Sequence, residues 1–107
     1  MKLLAAIVVS AVAASPSFAA TAPSSVKRGK TMFVAACGSC HTLAAAKTRG
    51  RNGPNLGEEQ RSYGDVIDQV VFGGGGMPAF GKSLTKGQIK DIATFVAHAT
   101  ATAPADG

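Results

Sequence analysis

The sequence predicts an all-α domain, and three observations carry that expectation. Apolar residues recur at helical spacing in three separate stretches. No segment alternates apolar and polar residues over the length of a strand. The stretch between the first two helical patterns is too rich in glycine, proline and asparagine to form a long helix of its own. With 107 residues there is material for one small domain, and no internal repeat divides it.

The first 19 residues read as a cleaved signal peptide. Lys2 gives a positive start, Leu3 to Ala14 is apolar apart from Ser10, and Ser17-Phe18-Ala19 places small residues where a signal peptidase reads them. The apolar run falls short of the roughly 20 residues that span a bilayer. Neither a lipid-bearing cysteine nor twin arginines accompany the site, so the mature chain is expected to keep no stable membrane anchor. Residues 20–107 then form the mature domain, in the periplasm or another extracytoplasmic compartment such as the thylakoid lumen. The formal charge of +5 is modest, and no aromatic-interleaved basic stripe suggests nucleic acid. It fits a soluble monomer with a bias toward acidic protein partners.

Along the mature chain, Ser24 or Ser25 can cap a first helix running to about Cys37. Val26, Gly29, Phe33, Ala36 and Cys37 fall on one face of it. A glycine inside a helix costs about 1 kcal/mol against alanine, so Gly29 is read as permitting a close helix approach. From Thr42 to about Ser62 the chain is expected to be irregular, with at most a helical turn over Ala44 to Ala46. So long a loop in so small a domain calls for something to wrap. A second helix, Tyr63 to Phe72, presents Val66, Ile67, Val70 and Val71 and stops at Gly73. Gly73 to Gly76 lead into Met77-Pro78-Ala79-Phe80. Thr85 and Gln88 have capping-box spacing for a last helix, whose stripe is Ile89, Ile92, Ala93 and Val96 with Phe95 at its border. The tail from Thr102 reads as frayed.

The chemistry centres on Cys37-Gly38-Ser39-Cys40-His41, the spacing of a c-type haem attachment site. Two thiols two residues apart can form thioethers with one porphyrin while the adjacent His41 stands under the iron. A thioredoxin-like pair needs a βαβ context that is missing. Structural zinc needs four ligands, and beyond these three the chain offers only His98, on a polar helix face. A plain disulfide leaves the histidine unexplained and closes a loop too small to stabilise much.

The mature sequence resembles the small single-haem class I cytochromes c over nearly its whole length. The resemblance rests on Gly29-x-x-x-Phe33, the Cys37 to His41 motif, Gly53-Pro54-Asn55-Leu56, Met77-Pro78-Ala79-Phe80 and the stretch from Ile89 to Val96. It implies three main helices and loops wrapped around one haem c, held covalently through Cys37 and Cys40. His41 would be the proximal iron ligand and Met77 the distal one. The carbonyl of Pro54 would accept the proton on the far nitrogen of His41, Leu56 would pack on the haem, and Gly29 with Phe33 would meet Phe95 where the first and last helices cross. Met/His ligation raises the haem potential, and a glycine-rich loop can deliver a thioether to a metal free of helical constraint. Propionate partners are less defined, with Arg51, Gln60 and Tyr63 as candidates.

The expected function is a one-electron carrier with transient redox protein partners, not an enzyme. Alternatives are a dedicated electron-transfer subunit of a periplasmic oxidoreductase, or a haem peroxidase or gas-binding protein with a labile Met77. Lys47, Arg49, Arg51 and Lys82 could rim the haem and steer acidic partners. Gly76 to Ser83 matches the phosphate-loop pattern letter for letter, but that loop requires a preceding strand and free amides, and Pro78 removes one.

Overall fold

Helix α1 (Ser24–Ala36) opens the computed structural model, which describes residues 23–105. The expected signal segment lies outside those residues. Neither serine caps α1. Pro23 occupies the N-cap, and its carbonyl accepts from the backbone N–H groups of Val26 and Lys27 at 2.9 and 3.2 Å. Val26, Gly29 and Phe33 are the buried residues of the helix, at the spacing that one face requires. At its end Phe33 O accepts from both Cys37 and Gly38, and Cys37 O then accepts from Cys40 and His41. The Cys37 to His41 motif is therefore a turn fastened to the end of α1.

The next segment contains the first departure from the sequence expectation. Strands β1 (Thr42–Leu43) and β2 (Thr48–Arg49) pair antiparallel around a 3₁₀ turn at Ala44–Ala46. Two-residue strands carry no alternation to read. They form because the Thr48 hydroxyl donates to His41 O at 2.8 Å and accepts from Leu43 N–H at 3.0 Å. This ladder leaves the all-α class intact. A second 3₁₀ turn, Leu56–Glu58, is held at its start by the Asn55 side chain, which accepts from Gly57 N–H.

Helix α2 (Tyr63–Phe72) has the bounds that the sequence predicts, with Ser62 as an N-cap accepting from Asp65 N–H. Helix α3 (Lys86–Ala99) starts with the full capping box: Thr85 Oγ1 accepts from Gln88 N–H, and Gln88 Oε1 accepts from Thr85 N–H. Thr85→Ala is expected to cost about 1 kcal/mol, seen as a lower denaturant midpoint with an unchanged slope. Ile89, Ile92, Ala93, Phe95 and Val96 are all buried, so Phe95 lies within the stripe rather than at its border.

The most extensive interface is that of α1 with α3, and α2 packs on α3 beside it. Gly29 sets the crossing distance: a Cβ there would collide with the carbonyl oxygen of Asp91 and lie 2.6 Å from Phe95 Cβ. One turn further along, Phe33 meets Phe95 with ring centroids 5.6 Å apart and planes tilted by 57°, a favourable aromatic arrangement. The tail is not frayed through Pro104. Gln60 Nε2 donates to Ala101 O and Ala103 O, and Gln60 N–H donates to Pro104 O. No helix among the described residues is long and apolar enough to cross a membrane.

Candidate cofactor site

The three helices and the loop between α1 and α2 enclose a cavity of about 590 Å³. Cys37, Cys40, His41, Pro54, Leu56 and Met77 all line it, so the six candidate residues from three separate segments share one space. Phe33, Val70, Ile92 and Val96 supply apolar walls from all three helices.

His41 is buried, with 8% of its surface exposed. Its Nδ1 lies 2.8 Å from Pro54 O. A carbonyl only accepts, so Nδ1 carries the proton and a neutral ring leaves the lone pair on Nε2. Gly53 makes this geometry possible. Its N–H donates to Cys40 O at 2.7 Å, which draws the loop against the imidazole. A Cβ on Gly53 would collide with Cε1 of the ring and lie 2.8 Å from Nδ1.

Both cysteines are free thiols. Burial pushes the Cys37 thiol up to about 11, with a further contribution from the charge of Cys40. Dithiol redox sites work through a lowered thiol pKa, so Cys37 has the opposite character. Among the described residues no three His, Cys, Asp or Glu side chains gather into a metal cluster, which leaves the zinc alternative without a ligand set.

Met77 reaches the cavity on a loop sewn to the end of α2. Gly74 and Met77 exchange backbone hydrogen bonds at 2.9 and 3.1 Å. Beyond them, Phe80 N–H donates to Val70 O and Gly81 N–H to Val71 O, at 2.8 and 3.2 Å. These bonds occupy carbonyls that the last turn of a helix otherwise leaves without partners. Gly73 makes the reversal with φ of 65°, and a Cβ there would press on Met77 O at 2.6 Å. The same bonds dispose of the phosphate-loop resemblance, because the amides of Phe80 and Gly81 are already committed and a helix, not a strand, precedes them.

Sequence reasoning missed Arg61. It lines the cavity, whereas Lys47, Arg49, Arg51 and Lys82 do not. Its Nη2 pairs with Glu59 Oε1 at 2.9 Å and its backbone N–H donates to Thr100 Oγ1 at 3.0 Å. Its Nε is buried with no acceptor among the described residues. A buried donor left without a partner costs about 1–3 kcal/mol, so an acceptor supplied by a bound group would relieve it.

These features fit a haem. The cavity volume lies within the roughly 300–1,000 Å³ of small-molecule sites, and its walls are largely apolar. Two thiols, an imidazole with a bare Nε2 and a thioether supply soft and borderline donors suited to iron. The orphaned Nε–H suits an anionic substituent.

Comparison with known proteins agrees. The family described as cytochrome C oxidase, cbb3-type, subunit III matches residues 24–96. Cytochrome c6 of Rippkaea orientalis is 40% identical over 73 residues, covering 64% of this chain and 65% of its own length. Cytochrome c6 of Gloeothece citriformis is also 40% identical, over 88 residues, 77% of this chain and 74% of the relative. The crystal structure of the c-type cytochrome SorU from Sinorhizobium meliloti superposes with a TM-score of 0.68 at 33% identity, covering 76% of this chain and 97% of that one. The chain thus belongs to the c-type cytochromes as a small class I member, a family whose haem c is bound covalently.

Proposed function

We propose that this chain is an extracytoplasmic one-electron carrier whose haem is bonded through Cys37 and Cys40 and whose iron is held by His41 and Met77. Residues 1–19 serve as its cleaved signal peptide and 20–107 as the mature domain, working as a monomer with transient redox partners. The observation that carries the reading is the convergence of the Cys37 to His41 turn and the Met77 loop on one cavity.

Bound haem supplies an iron couple that takes up and releases one electron. The protein supplies the constraints around it. Pro54 O fixes the tautomer and plane of His41, which raises the basicity of Nε2. The loop bonds to Val70 and Val71 fix where the Met77 thioether can go. Leu56, partly buried against the core, helps exclude water from the cavity. Were His41 Nε2 and the Met77 thioether both to hold the iron, they would leave no position for a substrate, and the chain would act as a carrier rather than as a catalyst.

The test is Met77→Ala. The wild type is expected to show the weak charge-transfer band from methionine sulfur to ferric iron and to bind carbon monoxide slowly when reduced. The variant should lose the band and bind carbon monoxide rapidly. Its potential should drop by on the order of 0.1–0.2 V, within the roughly 0.8 V over which axial ligands tune haem. Rapid carbon monoxide binding by the reduced wild type overturns the carrier reading in favour of a gas-binding or peroxidatic protein. A second reading, a dedicated subunit of an oxidoreductase complex, is favoured by the oxidase-subunit description of the matching family. Co-migration of the native protein with a larger complex identifies it.

A further inference from the structure

Residues 59–62 join the Leu56–Glu58 turn to α2, and two of them, Gln60 and Arg61, line the cavity. Both send their backbone N–H groups to the far end of the chain. Gln60 N–H donates to Pro104 O at 3.1 Å, and Arg61 N–H donates to Thr100 Oγ1 at 3.0 Å. The Gln60 side chain adds two bonds to the same stretch, from Nε2 to Ala101 O at 3.2 Å and to Ala103 O at 3.0 Å. Residues 100–104 are bent to receive them, because Ala101 N–H turns back to His98 O and Ala103 N–H to Thr100 O. None of residues 100–104 lines the cavity itself. They touch its wall from outside.

These bonds differ in kind. Thr100 is 1% exposed and its hydroxyl also donates to Val96 O, so the inner bond is fixed to the end of α3. The two Gln60 side-chain bonds are exposed to solvent. Exposed bonds open at low free energy, whereas those tied to the core open only with it. The result is a fixed pin beneath a releasable clasp. We propose that residues 100–104 are a latch on the cavity wall, with Thr100 and Gln60 as positioning residues that hold the segment before α2 closed against water. The inference rests on the haem reading above and extends it to the chain beyond the last helix. Burial and solvent exposure set the reduction potential of a haem. Water admitted through the wall stabilises the additional positive charge of the ferric state. An open latch therefore lowers the potential and a closed one raises it, with no change of iron ligand.

The test uses two charge-neutral replacements of matched shape, Thr100→Val and Gln60→Met, in the full haem-bearing protein. The first removes the acceptor of the Arg61 N–H, and the second removes both side-chain donors. Amide hydrogen exchange at Arg61 should quicken about tenfold or more in Thr100→Val. In each variant the one-electron equilibrium should move about three- to tenfold toward the ferric state, tenfold being 59 mV. The double variant should move little further, because either break releases the same segment. The optical spectrum should keep its wild-type form, since neither replacement touches His41 or Met77. A merely structural Thr100 would lower the denaturant midpoint and leave the potential unchanged. That result in haem-stained Thr100→Val, or Arg61 exchange at the wild-type rate, overturns the latch and leaves the haem reading standing. Where Thr100→Val fails to fold, Gln60→Met decides, and an unchanged potential there overturns the latch. Wild-type protein carrying no covalent haem overturns both.

Discussion

Gly29→Val is expected to destabilise the protein by about 3–4 kcal/mol, a large share of the 5–15 kcal/mol typical of a small domain. The added Cβ meets the Asp91 carbonyl and Phe95 Cβ. Side chains can rotate away from an intruder, but a carbonyl at the centre of α3 cannot, so the helices must separate. Separation also opens the Phe33 and Phe95 ring contact. Overpacking alone costs typically 1–3 kcal/mol, and the helix propensity regained on replacing glycine returns less than 1 kcal/mol. The collision therefore wins. Gly64→Ala is the control, because a Cβ at Gly64 has nothing within 4 Å. There only the propensity acts, and stability should rise by up to about 1 kcal/mol. Denaturant midpoints of the two variants should move in opposite directions.

Gly53→Val should damage the site more than the fold. The new side chain occupies the space of the His41 ring edge. Relief requires either that the ring turns or that residues 53 and 54 withdraw, and both break the bond from Nδ1 to Pro54 O. Loss of such an orienting partner typically weakens a metal site 10- to 100-fold. Because the thiols are untouched, covalent haem should persist on a denaturing gel. If His41 and Met77 hold the iron as proposed, a low-spin six-coordinate spectrum should give way to a mixture, and added imidazole should bind where the wild type excludes it. A wild-type-like spectrum would show that Gly53 is merely a turn residue.

Local signals made most of this molecule legible from its sequence. The α3 capping box needs only Thr85 and Gln88, three residues apart, and α2 ends where Gly73 must reverse the chain. The cysteine motif and the Met77 loop are contiguous strings. What escaped depends on side-chain partners that no contiguous motif spells out. Whether the tail is ordered turns on Gln60, some 40 residues before it in the chain. Whether Arg61 faces water or a cavity turns on Thr100 and Glu59. The β1–β2 ladder turns on one threonine hydroxyl. A polar Gln60-Arg61 pair directly before the Ser62 cap was the only local hint, and it is equally the composition of a solvated loop.

The crossing of α1 and α3 also dictates an order of events. Arg28 and Asp91, which bridge it, stand 63 residues apart. Contacts between the first and last helices carry a high loop-closure cost, and nothing rewards that cost until the second partner arrives. Until α3 is available, α1 has no surface on which to bury Phe33, and the Cys37 turn hangs on an unsupported helix. Once α3 docks, Cys37 is 7% exposed. Docking of α3 therefore withdraws the Cys37 thiol from solvent while Cys40 stays partly exposed, so covalent chemistry at Cys37 is easiest before the last helix has closed.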